Sequence, residues 1–457
     1  MANLKQIAQK AYPYLPVPLQ NTICGAYGKR EKATRFGPAF RRHLDFLTES
    51  QYWTAEQIRT YQEEKLREIL RHAVGHVPYY AAYAERIGEV QTVADLELLP
   101  VLRKEALRAD PAALLADNVD AGALIQYQTS GTTGKPLVFY RTPDSVAFQW
   151  AVWSRHKQRF GVRYDDYHAL FTGKPIVPAA QRRPPYWRSN PPMNQLIFGM
   201  QHTRPETIAA IVAKLDAEPL RFYTGYPSII YQVAQTALNA GLSMQRGPHV
   251  IFTGAEPLHD FQRTAIEAFF GCPVTDQYGT SEGVANASRC EHGNYHVDFE
   301  MGVIEVLPDD LGDDPATGEL LMTGFTNRGM PLVRYAIGDR GKLSDHPCTC
   351  GRASRVLSKL EGRNEDYVLL PEGGKITRFD YIFKGVAGLE EAQVVQHTPG
   401  EIDLLLVTSE GFGAADERKL RAGVRTYVSP HLGVNLKRVA AIPRTASGKF
   451  RAVVNKL

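Results

Sequence analysis

Apolar residues recur at helical spacing over Glu56–His76, at Ile58, Tyr61, Leu66, Ile69, Leu70 and Val74, and the run stops at Gly75-His76-Val77-Pro78. Tyr79, Tyr80 and Tyr83 follow as a packing patch, and Leu99-Pro100-Val101 leads into a further short helix. From about residue 120 the pattern changes. Short apolar runs at His168–Phe171, Arg221–Tyr223, His249–Phe252 and Pro273–Gln277 alternate with helical stretches such as Glu206–Leu215 and Ser228–Leu242. Such alternation predicts βαβ units and a mainly parallel sheet. Gly302–Leu307 and Gly318–Thr323 read as paired strands of a more antiparallel region, joined by the acidic turn Asp309–Asp314. After Arg363 the pattern changes again: strands at Tyr367–Leu370, Ala392–His397 and Glu401–Thr408 and a helix at Ala414–Val428 predict a small α+β domain.

A chain of 457 residues is too long for one core. The pattern divides it into a helical stretch over 1–110, an α/β core over 111–364 and a small terminal domain over 365–457. No internal repeat or low-complexity tract interrupts it. The net charge of +4 and the lack of a Lys/Arg block argue against nucleic acid as a partner. No apolar run reaches the ~20 residues that span a bilayer, and Met1–Gln20 lacks the features of a signal peptide. Five cysteines, three of them clustered with histidine, fit a reducing, cytoplasmic setting and a metal better than disulfides.

Chemistry concentrates in five runs. Tyr127-Gln-Thr-Ser-Gly-Thr-Thr-Gly-Lys-Pro136 offers the hydroxyls of Thr129, Ser130, Thr132 and Thr133, close backbone approach at Gly131 and Gly134, and a cation at Lys135. This suits a polyphosphate, although the spacing is not that of a Walker A loop; the alternative is a polar surface turn. Asp276-Gln-Tyr-Gly-Thr-Ser-Glu-Gly283 follows a predicted strand: Tyr278 can stack on a base, the hydroxyls beside Gly279 (Thr280, Ser281) can hold a phosphate, and Glu282 can hold Mg2+ on phosphate oxygens. In Arg334–Asp339 the last carboxylate, beside a glycine turn, can accept two ribose hydroxyls or can cap a helix or turn. Leu360–Asp366 marks the change in composition and places Arg363 and Glu365 at a hinge. Pro443–Phe450 presents Lys449 from a Gly/Ser loop.

These runs, in this order over about 120–457, resemble the ANL superfamily of adenylate-forming enzymes. Gly254-Ala255-Glu256-Pro257 and the opening Val77-Pro78-Tyr79-Tyr80 are similar to the phenylacetate–CoA ligase branch and its CapK-like members. The resemblance implies a large α/β N-terminal ANL domain, with parallel and mixed sheets, helices and a small antiparallel region, carrying a mobile α+β C-terminal lid. It implies ATP as co-substrate, with the 129–135 loop on pyrophosphate, Tyr278 on adenine, Ser281 at the α-phosphate and Glu282 on Mg2+, and with Gly254, Ala255, Glu256, Gly279 and Thr280 also among the ATP/AMP-binding residues. Asp339 would take the ribose with Arg363 close by, Glu365 would be the hinge, and Lys449 would bridge the substrate carboxylate and the α-phosphate. The product is an acyl adenylate, by analogy of an aryl acid.

Relatives that use CoA continue past the hinge with an Arg-Gly turn and an Asn-Val-Phe/Tyr-Pro segment, where this chain reads Tyr367-Val-Leu-Leu-Pro-Glu-Gly-Gly-Lys-Ile376. The acceptor therefore stands open between CoA, a carrier-protein thiol and an amine or hydroxyl in polysaccharide or secondary-metabolite synthesis. A non-catalytic, zinc-stabilised nucleotide-binding protein is the third reading. Trp150, Trp153, Phe171, Phe198 and Tyr226 read either as acid-pocket walls or as core. A homodimer is compatible with a soluble enzyme.

Cys290-Glu-His-Gly-Asn-Tyr-His296 and Cys348-Thr-Cys-Gly-Arg352 read as two halves of a closed Zn2+ site from Cys290, His296, Cys348 and Cys350, with His292 and then His346 as alternative imidazoles. Three buried reduced cysteines are the other reading. Cys24 and Cys272 have no partner in sequence, and Cys272 is placed just before a strand.

Overall fold

The computed structural model describes residues 11–457 apart from 129–136, 173, 175, 179, 200–201, 256–257, 259, 309–314, 363–367, 372–374, 377–378, 384–385, 409, 441 and 443–452. From residue 11 to about residue 110 the described elements are all helical, as the periodicity predicts. The helix Ala55–His76 begins at a capping box, in which Gln57 N donates to Thr54 Oγ1 (3.3 Å) and Thr54 N to Gln57 Oε1 (2.9 Å), and ends before Pro78. Leu66, Ile69, Leu70 and Ala73 on this helix share one core with Val303, Leu320, Tyr335 and Leu357.

The strands β1 (Ile125–Gln128) and β2 (Val138–Arg141) pair as an antiparallel ribbon. A 12-stranded sheet follows. Its strands are β3 (His168–Thr172), β4 (Trp187–Asn190), β5 (Gln195–Gly199), β6 (Phe222–Gly225), β7 (Val250–Gly254), β8 (Val274–Gly279), β9 (Asn286–Arg289), β10 (Tyr295–Val297), β11 (Gly302–Pro308), β12 (Gly318–Gly324), β13 (Tyr335–Ser344) and β14 (Val356–Gly362). They lie in the order β11-β12-β13-β14-β10-β9-β8-β7-β6-β3-β5-β4.

The run β5-β3-β6-β7-β8 is parallel throughout, and β8–β9 is where the sheet reverses to antiparallel. The expected antiparallel region is thus a continuation of the parallel sheet. Register sets Phe171 beside Gly225, Gly225 beside Thr253 and Gly254 beside Gln277, so the carboxyl ends of the parallel strands share one edge. Aliphatic side chains from the helices Pro205–Ala217, Pro227–Asn239 and Asp260–Phe270 cover this half, packed on Ala169, Phe171, Tyr223 and Ile251. Cys272 is buried directly before β8.

The C-terminal residues form their own core. A short ribbon, β15 (Val368–Leu369) with β16 (Lys375–Ile376), precedes the sheet β19-β18-β17-β20, built from β17 (Leu389–Thr398), β18 (Glu401–Thr408), β19 (Gly433–Arg438) and β20 (Val453–Asn455). Leu420 and Val424 of the helix Ala414–Tyr427 pack with Val394, Ile402, Leu404 and Leu406.

His168, at the start of β3, shows how tightly the main core is closed. Its ring stacks on Phe222 with centroids 4.3 Å apart. Nδ1 donates to the Asp166 carbonyl (2.8 Å) and Nε2 accepts from Gln195 Nε2 (2.9 Å), which is the bonding of a neutral imidazole. Burial pushes its pKa down to about 4. The unfolded chain takes up this proton near pH 6.5, so the stability His168 contributes is whole above about pH 6.5 and is lost as pH falls towards 4. Urea unfolding at pH 7 and pH 5 is expected to show a loss in the wild type that His168→Gln reduces by about 2 kcal/mol; equal losses in both proteins would contradict this.

Candidate functional site

The end of β8 carries Tyr278 and Gly279 out of the sheet where its direction reverses, the position at which open α/β sheets bind ligands. The Tyr278 hydroxyl donates to Asp339 Oδ2 at 2.8 Å. These residues belong to β8 and β13, four strand steps apart in the sheet. In a flat sheet four steps span about 19 Å. The sheet must therefore curl back on itself, and the curl brings two segments 61 residues apart to one place. Two residues after the exposed Gly279, the Ser281 side chain is exposed, while Glu282 is buried and its Oε1 accepts from Tyr335 Oη at 3.2 Å. Glu282, Gly283, Val284, Gly324, Asn327, Met330 and Leu332 line a small recess beside this loop.

The loop from 280 to 283 is held from below by Arg141, which sequence reading missed. Arg141 ends β2 and is fully buried. Its guanidinium donates to Gln149 Oε1 and to the Ser145 carbonyl, and Gln149 Nε2 donates in turn to the Thr280 carbonyl at 3.0 Å. Burial pulls the Arg141 pKa down to about 10, so the group stays cationic at neutral pH, with the charge of Glu282 among those that favour it. Gly283 lies against this guanidinium with φ +68°, and a Cβ there would come within 2.3 Å of Arg141 Cζ.

Both faces of β9 carry buried polar groups that join this loop to its surroundings. On one face Asn286 Nδ2 and Ser288 Oγ donate to Asp298 Oδ2 (2.6 and 2.7 Å), and Trp153 Nε1 donates to Asn286 Oδ1 (3.1 Å). Arg155 completes that set, binding Asp298 Oδ1 at 2.6 Å and Glu300 Oε1 at 2.5 Å, all three side chains fully buried. On the other face Asp276 Oδ1 forms an ion pair with Arg289 Nε (2.9 Å), and its other oxygen accepts from Tyr295 Oη. Burial raises the Asp276 pKa, with Arg289 and Tyr295 working against that rise.

Cys290, His296, Cys348 and Cys350 come together, every donor atom within 4.8 Å of the others. Cys290 Sγ and Cys348 Sγ are 3.8 Å apart, and Cys350 Sγ and His296 Nε2 are 3.2 Å apart. A tetrahedral ion with Zn–S bonds of about 2.3 Å needs sulfurs about 3.8 Å apart, so the sulfur pair fits zinc. His296 Nδ1 donates to the Ser354 carbonyl (3.1 Å), which leaves the Nε2 lone pair facing the thiols. Two turns shape the cluster, at Gly293 (φ +83°) and Gly351 (φ +80°), whose N–H groups bond back to the carbonyls of Cys290 (2.9 Å) and Cys348 (3.1 Å). His292 instead meets Thr349 Oγ1 at 3.1 Å, and neither it nor His346 belongs to this cluster.

Gly254 and Ala255 close β7, and Ala255 takes φ +65°, a backbone cost stored at the shared strand edge. Asp339 lies inside the ten-residue strand β13, so it is neither the turn nor the helix cap that its Gly-Asp context suggests. Phe171 and Phe198 are core, stacked 5.2 Å apart; Tyr226 is half-buried just past β6, and Trp150 and Trp153 pack edge to face on the helix Pro143–Arg159. Thr129, Ser130, Gly131, Thr132, Thr133, Gly134, Lys135, Glu256, Arg363, Glu365 and Lys449 lie outside the described residues.

Comparison with known proteins agrees with this arrangement. Residues 368–456 match the family model of the CapK C-terminal domain. Protein CapK of Staphylococcus aureus is 26% identical, over 98% of this chain and 99% of that protein. A phenylacetate-coenzyme A ligase of Thermus thermophilus is 25% identical, over 88% of this chain and 97% of its own length. The fold matches the crystal structure of a 2-hydroxyisobutyryl-CoA ligase in complex with 2-HIB-AMP and CoA, with a TM-score of 0.59 at 20% identity, covering 89% of this chain and 91% of that one.

The packing of Gly283 on Arg141 yields a direct test. Gly283→Ala places a Cβ in a left-handed conformation and against a guanidinium that its own bonds hold in place. It is expected to cost about 1–3 kcal/mol, read as a lower urea midpoint; an unchanged midpoint would show that the loop gives way freely.

Proposed function

We propose that this chain, a member of the ANL superfamily of adenylate-forming enzymes on the branch of CapK and the phenylacetate–CoA ligases, activates a carboxylic acid with ATP and passes the acyl group to a thiol. The observation that carries this reading is the Tyr278–Asp339 hydrogen bond. It joins a ring that can cover adenine to a carboxylate that can accept ribose hydroxyls, at the edge where the parallel strands end.

A carboxylate is a poor acyl donor because its leaving group would be oxide. In the first step a carboxylate oxygen attacks the α-phosphorus of ATP, the bond to the bridging oxygen breaks, and pyrophosphate leaves. In the second a thiolate sulfur attacks the acyl carbon and AMP departs with the oxygen. Two anions must meet in the first step, so the barrier is charge, and oriented cations and N–H groups lower it. Lys449 is assigned the bridge between the attacking carboxylate and the α-phosphate, Thr129–Lys135 the pyrophosphate, and Ser281 with Gly279 and Thr280 the α-phosphate. Gly254, Ala255 and Glu256 flank the adenine, Arg363 supports the ribose end, and Glu365 serves as the hinge of a lid formed by 365–457 on a core that the helices of 1–110 buttress. Glu282 would hold Mg2+, which supplies charge neutralisation at the phosphates: one of its oxygens accepts from Tyr335, and the side chain lines the recess beside the loop.

The four-donor cluster is assigned a structural Zn2+. With all four positions supplied by protein there is no open ligand site, so the ion would cross-link the β9–β10 turn to the segment before β14. Cys350→Ser is expected to strip bound zinc, read by elemental mass spectrometry, and to lower the melting temperature; full retention of the metal would remove Cys350 from the ligand set.

CoA is the acceptor that relatives named as CoA ligases support, the acid being aryl by the same analogy. The sequence Tyr367–Ile376 departs from the pattern of CoA-using relatives, which favours an amine or carrier-protein thiol as the second reading. Trapping of acyl adenylates with hydroxylamine across a panel of acids, read as pyrophosphate release, tests the first step; CoA or amines added to the best acid then separate the acceptors. Lys449→Ala is expected to slow pyrophosphate exchange by roughly 10²–10³ while leaving transfer from a supplied adenylate largely intact. Exchange at the wild-type rate would defeat the assignment.

A further inference from the structure

The helix Val17–Arg35 is built inside out. It covers the free edge of β4, where the Ser189 N–H donates to Asn21 Oδ1 at 3.0 Å. Its inward residues are Gln20, Cys24 and Gly28, polar or small, and all three are buried. Gln20 Oε1 accepts from Arg188 Nε (2.6 Å), and its Nε2 donates to the carbonyls of Leu15 (2.9 Å) and Tyr12 (3.1 Å). At Gly28 a Cβ would come within 1.9 Å of Asn190 Oδ1. These contacts fix the rotation of the helix.

The consequence is that its large apolar residues point away from the protein. Leu19, Ile23 and Tyr27, one turn apart, are 51%, 44% and 54% exposed, and Tyr14 just before the helix is 88% exposed. A surface helix ordinarily does the reverse. The charges beside this stripe have one sign. Lys29, Arg30 and Lys32 are exposed, while Glu31, the first acidic residue in the chain, is engaged by Arg35. Residues 1–42 hold eight Lys/Arg against that single acid, although the whole chain carries only +4. A second copy packed on the stripe would bring from this helix only Glu31, already paired with Arg35, to meet Lys29 and Arg30. A layer of phosphate headgroups over acyl chains offers both the charge and the apolar depth, and tyrosine is suited to that boundary.

We infer that the outward face of Val17–Arg35, with Tyr14, lies on an anionic lipid surface as an interfacial helix, docking the protein at a membrane without spanning it. The full-length protein would be tested by flotation with vesicles of phosphatidylcholine alone and of phosphatidylcholine with phosphatidylglycerol, at low and high salt. Wild type is expected to float with the anionic vesicles at low salt and to be released by high salt. The double variants Leu19→Ser/Ile23→Ser and Lys29→Glu/Arg30→Glu are each expected to reduce partition tenfold or more, with the melting temperature unchanged because these side chains meet solvent. Failure to float with either vesicle, or flotation that neither variant reduces, overturns the inference. So does a dimer, measured by light scattering, that Leu19→Ser/Ile23→Ser dissociates, since the stripe would then belong to a second copy.

Discussion

The site depends on the sharp curl of one sheet between β8 and β13. Flat, the sheet would hold Tyr278 and Asp339 far apart; curled, it lets them share a hydrogen bond. The curl has a steric condition at its inner side. Gly302 and Gly324, paired in β11 and β12, pack directly on the Val284 backbone, and a Cβ at Gly302 would come within 2.5 Å of the Val284 carbonyl. Side chains at those positions would wedge the antiparallel end of the sheet away from the loop that follows β8. Tyr335 then ties β13 to Glu282 from the other direction.

Sterics permit that curl, and polar groups fix it. Strand β9 stands between the parallel half and the antiparallel half, and its side chains alternate between two buried polar sets. The Asp298–Arg155–Glu300 set binds the helix Pro143–Arg159 to one face; Asp276, Arg289 and Tyr295 clamp β8 to β10 on the other. Buried ion pairs of this kind add little net stability over apolar packing, but they are costly to break, which suits them to holding register. The Cys/His cluster sits at the far end of the same strands: Arg289 precedes Cys290 and Tyr295 precedes His296 in sequence. Whatever orders that cluster therefore also orders the residues that grip Asp276, two positions before Tyr278.

The parallel strands, the covering helices and the C-terminal α+β unit were legible because each rests on a local period. The motif residues Tyr278, Glu282 and Asp339 were legible because they sit in short runs of unusual composition. Arg141 and the Arg155 set were not, since each is a cation in an otherwise ordinary strand or helix: Arg141 reaches the 280–283 loop only through Gln149, and Asp298 is 143 residues from Arg155. Asp339 was misjudged in conformation for a related reason. Gly-Asp ordinarily signals a turn, but Gly338 at φ +84° sits within β13, which shifts register against its neighbours on both sides. A glycine in the left-handed region served a strand irregularity instead of a turn.

The same contrast bears on which acid the protein would take. Aromatic residues near a predicted cleft invite assignment as pocket walls, yet Phe171 and Phe198 are spent on the core beneath the strand edge. What the edge itself offers beside Tyr226 is backbone: Gly225 packs against the Phe171 carbonyl with no room for a Cβ, and Gly254 and Ala255 follow one strand over. A rim made of glycines and a strained alanine is shaped by what is missing from it. Composition reports side chains that are present, so it is a poor guide to such a rim. The inverted helix Val17–Arg35 makes the converse point: its apolar residues were plain in the sequence, and only the fixed rotation imposed by Gln20 and Gly28 turns them from core into surface.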